Sequence, residues 1–192
     1  EVPYNVYGGL QDNGSWYAPS QKSGGISNAD WKSTFGGDGF WSFRHPTDKD
    51  IVFAEYQGGN LVRYNKKTGM AQQIKPYATG DEAKYRFNWN APIQLSPTNA
   101  DRMYFGSQYL FMSTDKGDSW KRISPDLTSN DPKKLRQKES GGLTIDNSTA
   151  ENHCTIYTIG ESPVDGKIIW AGTDDGLLQV TTDAGQNWSN VT

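Results

Sequence analysis

One eight-residue pattern occurs twice, STDKGDSW at 113–120 and TTDAGQNW at 181–188, each behind a run of strand-forming residues. Both fit S/T-x-D-x-G-x-x-W, and fixed offsets between Asp, Gly and Trp specify a tight hairpin turn. Asp115 and Asp183 can accept hydrogen bonds from the turn's own amides. Gly117 and Gly185 can take φ > 0, and Trp120 and Trp188 can fold back between neighbouring sheets. The expectation is that these six residues are structural, with both tryptophans substantially buried.

The repeat extends beyond the hairpin. RHPTDKDIVFAEY (44–56), LSPTNADRMYFGS (95–107) and ESPVDGKIIWAGT (161–173) each end a strand at a proline, turn, and place an aromatic seven residues after it. A Gly-rich turn and a further strand follow: QGGNLVRY, SQYLFMST and DDGLLQVT. NVYGGLQDNGSWYA (5–18) supplies the same two strands at the start. The aromatics Tyr7, Phe53, Tyr104 and Trp170 therefore mark four units with a period near ~45 residues, the last interval stretched, and such a period signals propeller blades. Strands are expected at 40–45, 91–96 and 155–160 (A), 4–9, 51–56, 102–106 and 168–172 (B), 15–18, 60–64, 109–114 and 177–182 (C), and 70–74, 120–123 and 188–191 (D). No stretch keeps a helical apolar period. The fold class is all-β: a propeller segment of about four four-stranded blades in one domain, 1–192. Its units are about 1–35, 36–80, 81–126 and 153–192. The polar stretch 127–152 reads as an excursion, with a short helix near 131–137 begun by Asp131 and Pro132.

Composition narrows the function classes. Hydrophobic residues make up 34% and aromatics 12%, with 21 glycines, which suits short strands joined by turns. A net charge of −3 offers no basic field for nucleic acid or an anionic membrane. The basic cluster Lys133, Lys134, Arg136 and Lys138 reads as a solvated loop. A single cysteine, Cys154, excludes an intrachain disulfide and a cysteine-based zinc site, and His45 and His153 have no metal-ligand spacing. No metal and no cofactor are expected. No apolar run approaches a spanning helix.

The two hairpins resemble Asp-boxes, or BNR repeats, of sialidases, family-74 glycoside hydrolases and sortilin-type propellers. The strings GGLQDNGSW (8–16), GGDGFW (36–41), RFNWNAPIQLSP (86–97), STDKGDSWKRISPDLT (113–128) and GTDDGLLQVTTDAGQNW (172–188) resemble secreted bacterial sortilin-like or glycosyl-hydrolase-like BNR proteins. The resemblance implies a secreted, periplasmic or cell-surface chain that binds a glycan or protein, together with remaining blades of the same protein. Family-74 xyloglucanases use two aspartates across a cleft, one in a Gly-Asp-rich segment opening a blade. By that likeness Asp38 is the first candidate acid or base, and Asp12 the second. The plain alternative is a Gly-Asp turn that starts a strand. Ligand-facing candidates at the blade mouths are Gln11, Asn13, Trp41, Asn88, Trp89, Asn90, Gln108, Glu161, Asp174 and Asp175. A sialidase would need an arginine cluster, whereas Arg44, Arg63, Arg86, Arg102, Arg122 and Arg136 are scattered.

Three functional classes stay open on the sequence: a binding module for a glycan or protein, part of a polysaccharide hydrolase, and a scaffold of a surface complex. The binding module is preferred. The first unit has no strand A, so four units are expected to form an open array rather than a closed ring.

Overall fold

The computed structural model describes residues 2–136 and 151–192. Its strands form four antiparallel meanders in chain order. The first sheet contains β1 (Asn5–Leu10), β2 (Gly14–Pro19) and β3 (Lys32–Phe35). The second contains β4 (Gly39–Arg44), β5 (Ile51–Tyr56), β6 (Asn60–Asn65) and β7 (Met70–Gln73). The third contains β8 (Ile93–Leu95), β9 (Met103–Gly106), β10 (Leu110–Ser113) and β11 (Lys121–Arg122). The fourth contains β12 (Ile156–Glu161), β13 (Ile169–Thr173), β14 (Leu178–Thr181) and β15 (Ser189–Asn190). The chain is an all-β propeller segment of four blades, the first with three strands. Its outer strand β3 was not foreseen, because KSTF follows a polar connection and a short 3-10 turn at Asn28–Asp30 rather than a recognisable hairpin. The expected helix near 131–137 is a single turn in its described part, where the amides of Lys134 and Leu135 both donate to the Asp131 carbonyl. The remainder of the 127–152 stretch, from 137 to 150, lies outside the described residues.

The proline-ending strands have a common physical cause. At the end of each first strand a side chain accepts hydrogen bonds from the amides two and three residues on. Nδ1 of His45 serves Thr47 and Asp48 at 3.3 and 3.1 Å, and Oγ of Ser96 serves Thr98 and Asn99 at 3.2 and 3.0 Å. Oγ of Ser162 serves Val164 and Asp165 at 3.2 and 3.3 Å. His45 is thus a turn cap in the place that serine takes twice, and capping requires a neutral Nδ1 acceptor. Burial, and then the Lys116 ammonium, lower its pKa below the usual 6.5, against the pull of Asp101 and Asp48. A depressed histidine pKa means that the unfolded chain takes up the proton first. Stability is therefore full above about pH 6.5 and falls as the pH drops toward the folded value. Thermal melts between pH 7 and 5 should show this decline, and His45→Ser, which keeps an acceptor without the titration, should flatten it.

The blades are joined in two ways. Between the second and third sheets Phe53, Leu61, Ile74, Phe87, Ile93 and Phe105 form one apolar cluster, and between the third and fourth Tyr104, Leu110, Leu127, Ile156 and Ile169 form another. Each cluster is closed by one of the repeated hairpins. The indole N–H of Trp120 donates to the Ile74 carbonyl at 2.6 Å, and that of Trp188 donates to the Ile123 carbonyl at 3.0 Å. Both carbonyls belong to the outer edge of the preceding blade, so each tryptophan is a staple between blades. Both are half-buried, less than the sequence suggested, because they cap the rim of a cluster rather than enter it.

Inside each hairpin the carboxylate does the expected work. Asp115 accepts from the Ser119 amide at 2.9 Å and Asp183 from the Asn187 amide at 2.9 Å. The Asn187 amide and side chain, then Thr181, hold the Asp183 carboxyl at a pKa of about 2. The first and second sheets meet differently, through glycine backbone. A Cβ on Gly9 would lie 2.3 Å from the Gly39 carbonyl carbon, and one on Gly39 would lie 2.3 Å from the Gly14 oxygen.

Candidate functional site

The turns between second and third strands, and the connections that enter each first strand, lie on one face around the axis of the array. Most sequence candidates lie there, and the structure gives many of them hydrogen-bond partners in the fold. Asp38 accepts the Asp12 amide at 2.7 Å, which fixes the turn of the first blade to the entry of the second. Beside it the Gly14 amide donates to the Gly37 carbonyl at 2.8 Å. Asp12 itself has φ of 64°, a left-handed turn position that Asp tolerates. Gln11 and Asn13 are exposed in the same turn, and the Asn13 carbonyl takes the Trp16 indole N–H at 2.5 Å.

A recurrent clamp explains why polar residues stand at each blade mouth. Oε1 of Gln57 accepts the Asp38 amide at 2.8 Å, Oε1 of Gln108 accepts the Arg86 amide at 2.7 Å, and Oδ1 of Asp174 accepts the Thr155 amide at 2.9 Å. In all three blades a side chain from the second-to-third turn ties down the connection entering that blade. Gln108 is fully buried in this role (0% exposed). Gln57 was passed over in the sequence because its neighbours Gly58 and Gly59 mark it as an ordinary turn.

Asn88 extends the network to the fourth blade, its Nδ2 donating to Thr155 and Asp174 at 3.1 Å each, while its own oxygen takes the Asn90 amide. The Trp89 carbonyl accepts the Gly58 amide at 3.2 Å. Burial pushes the Asp175 carboxyl up, but hydrogen bonds from Ser129 and Thr173 outweigh it and hold the pKa at about 2. Glu161 stands apart at the far end of β12. It is buried, with Ser96 and Thr98 hydroxyls donating to Oε1 at 2.9 and 2.5 Å and Arg102 beside Oε2.

Among the described residues several concavities are open to a ligand, and two of them adjoin the third blade. Trp41 and Phe43 on β4, Pro92 to Leu95, and Thr158 and Ile159 on β12 border a cavity of about 290 Å³ between the first strands of three blades. The long connection between the second and third blades folds into a groove of about 310 Å³ lined by Lys75, Tyr77, Glu82, Lys84, Tyr85 and Phe87. Tyr77 is 64% exposed at its edge. The Tyr85 hydroxyl donates to Glu82 at 3.0 Å, and Arg122 reaches the same carboxylate at 3.3 Å. None of these groove residues stood among the sequence candidates. The available signal was the length of the connection, with aromatics interleaved among charges.

Beneath this region lies Glu55, 1% exposed, whose carboxylate faces the amides of Ala91, Gly59 and Trp41 without a well-aligned hydrogen bond. Burial raises its pKa well above the carboxylate range, partly offset by those amides and by Lys75. Burial, and then Lys84, lower the pKa of Lys75 in turn. A carboxyl near the end of a strand such as VFAEY gives no sequence sign of this.

No family model matches the sequence. Over 155 residues, 77% of this chain, it is 25% identical to an oligoxyloglucan-reducing end-specific xyloglucanase of Emericella nidulans. The GH74 xyloglucanase of Xanthomonas campestris superposes on 95% of the chain with a TM-score of 0.58 and 13% identity, over 26% of its own length. The GH74 enzyme of Niastella koreensis superposes on 96% with a TM-score of 0.57 and 11% identity, over 28% of its length. The fold is a propeller segment similar to GH74 propellers. The chain spans 17% of the length of its curated relative. No helix of the described residues is long and apolar enough to cross a membrane.

Proposed function

We propose that these four blades are the glycan-holding part of a glycoside-hydrolase propeller that acts on a β-glucan of the xyloglucan type. The observation that carries this reading is the 155-residue similarity to a xyloglucanase, joined to the shared propeller fold. The groove of the second-to-third connection supports it chemically. Sugars are held by aromatic faces that pack on C–H surfaces and by a few charged or hydroxyl groups that bond the ring hydroxyls. Tyr77 and Tyr85 supply the faces, and Lys84 and Glu82 supply the polar partners.

Hydrolysis needs two carboxylates set across the scissile bond, roughly 5–9 Å apart. In this reading Asp38, which accepts the Asp12 amide, is a turn residue, the segment holds substrate, and the catalytic pair is completed by other parts of the protein. Because an intact polysaccharide does not cross a membrane, the site of action is outside the cytoplasm. The similarity to a xyloglucanase favours hydrolase membership over a free-standing adhesion module, while binding is still the segment's own task.

Calorimetric titration with xyloglucan oligosaccharides should give saturable binding, and Tyr77→Ala should weaken it about tenfold, or about 1.4 kcal/mol, with an unchanged melting temperature. Absence of binding to xyloglucan by the folded chain, or an affinity indifferent to Tyr77, would overturn the reading.

A further inference from the structure

The groove of the second-to-third connection carries positive charge that the fold does not pair. Its lining holds two ammonium groups, Lys75 and Lys84, and one carboxylate, Glu82. The charge of Glu82 is already matched. Its Oε2 accepts the Thr79 amide at 3.2 Å and the Tyr85 hydroxyl at 3.0 Å, while Arg122 reaches its Oε1 at 3.3 Å. Asp81 is exposed and does not border the groove. Among the described residues the lysines in ion pairs are Lys22 and Lys116, so neither groove lysine has an acidic partner.

Lys75 is positioned without being neutralised. Its Nζ donates to the Gly58 carbonyl at 2.8 Å and stands 4.7 Å from the Phe87 ring centre and 5.8 Å from that of Tyr77. An ammonium has three donors, and this arrangement commits one of them. The carboxyl beneath, Glu55, is held toward its neutral form by burial and offsets little of that charge. Lys84 is exposed and stands close enough that its charge, after burial, is a cause of the lowered pKa of Lys75. An anion set between the two would turn a repulsion into two attractions. The chain as a whole has a net charge of −3, so this groove runs against the sign of the molecule that carries it.

We infer that the groove takes a glycan unit bearing a carboxylate, a uronic acid, with Lys84 and Lys75 as partners of its charge and Tyr77 as the face on which its ring packs. This rests on the groove being the glycan site and narrows what that glycan contains: acid units beside neutral ones. Aromatic faces alone suit any pyranose. The unpaired ammonium groups are what select the acid.

Calorimetric titration can compare a β-linked oligoglucuronate with the cello-oligosaccharide of equal length, which carries a hydroxymethyl group where the uronate carries a carboxylate. In dilute buffer the acid chain should bind about tenfold more tightly. Sodium chloride at about 1 M, where charges act over only about 3 Å, should remove most of that ratio. Lys84→Gln, at an exposed position, should also remove most of it, whereas Lys133→Gln, exposed in the basic cluster outside the groove, should leave it intact. Equal affinities in the wild type, a ratio untouched by Lys84→Gln, or an oligoglutamate of equal charge bound as tightly as the oligoglucuronate would overturn the inference. The two readings fail separately. Xyloglucan oligosaccharides bound with no preference for the acid chain would remove this inference alone. The acid chain bound with no affinity for xyloglucan would remove the neutral-glucan reading and support this one.

Discussion

Gly39→Ala is expected to lower stability by about 3 kcal/mol or more, at the upper end of the range for overpacked interiors. The added Cβ would meet the Gly14 carbonyl oxygen at 2.3 Å and its carbon at 2.5 Å, both backbone atoms that cannot rotate away. A Cβ on Gly9 would likewise lie 2.3 Å from the Gly39 carbonyl carbon and 2.4 Å from the Phe40 nitrogen, so the seam has no slack and the first blade would have to move off the second. For a chain of this size the melting midpoint should fall by roughly 6–12 °C. Gly8→Ala is the control, because nothing lies within 4 Å of its Cβ position, and alanine there should be neutral or slightly stabilising. A Gly39→Ala melt indistinguishable from that of Gly8→Ala would mean that the first two blades do not meet as described.

Trp120→Ala should cost about 3 kcal/mol, the lower part of the range for truncating a buried indole, since the residue is only partly buried. Two losses combine: the bond to the Ile74 carbonyl at 2.6 Å, and the packing against Phe105, whose ring centre is 6.0 Å away. Trp120→Phe separates them by keeping an aromatic filler without the N–H, and should cost about 1 kcal/mol for the indole hydrogen bond. Denaturant unfolding of the two variants measures both terms. Equal effects from Ala and Phe would leave the staple resting on the hydrogen bond alone.

The blade pattern was legible because propeller strands carry local signals that repeat. The proline-ending strands, the Gly-rich turns and the two hairpins each fix local hydrogen bonds, and repetition multiplied their weight. Strand β3 was missed because the chain enters it through a 3-10 turn rather than a hairpin, and such an entry has no local signature. The site was harder to read for a different reason. Gln108, Asp174 and Asn88 stand at blade mouths as ligand residues would, yet their partners are amides and side chains up to 86 residues away. No sequence shows which of two polar groups far apart in the chain will meet. The groove around Tyr77 was overlooked for the converse reason: it belongs to a connection outside the repeat, where periodicity has nothing to say.

The role of Asp38 separates the two ways in which this segment could serve a hydrolase, and an assay of reducing ends released from xyloglucan by wild-type chain and by Asp38→Asn decides between them. An asparagine oxygen can still accept the Asp12 amide, so the variant should fold and bind glycan as the wild type does. Neither protein should release reducing ends on its own. Release by the wild-type chain that vanishes in a fully folded Asp38→Asn would contradict this, and would make Asp38 a catalytic carboxylate.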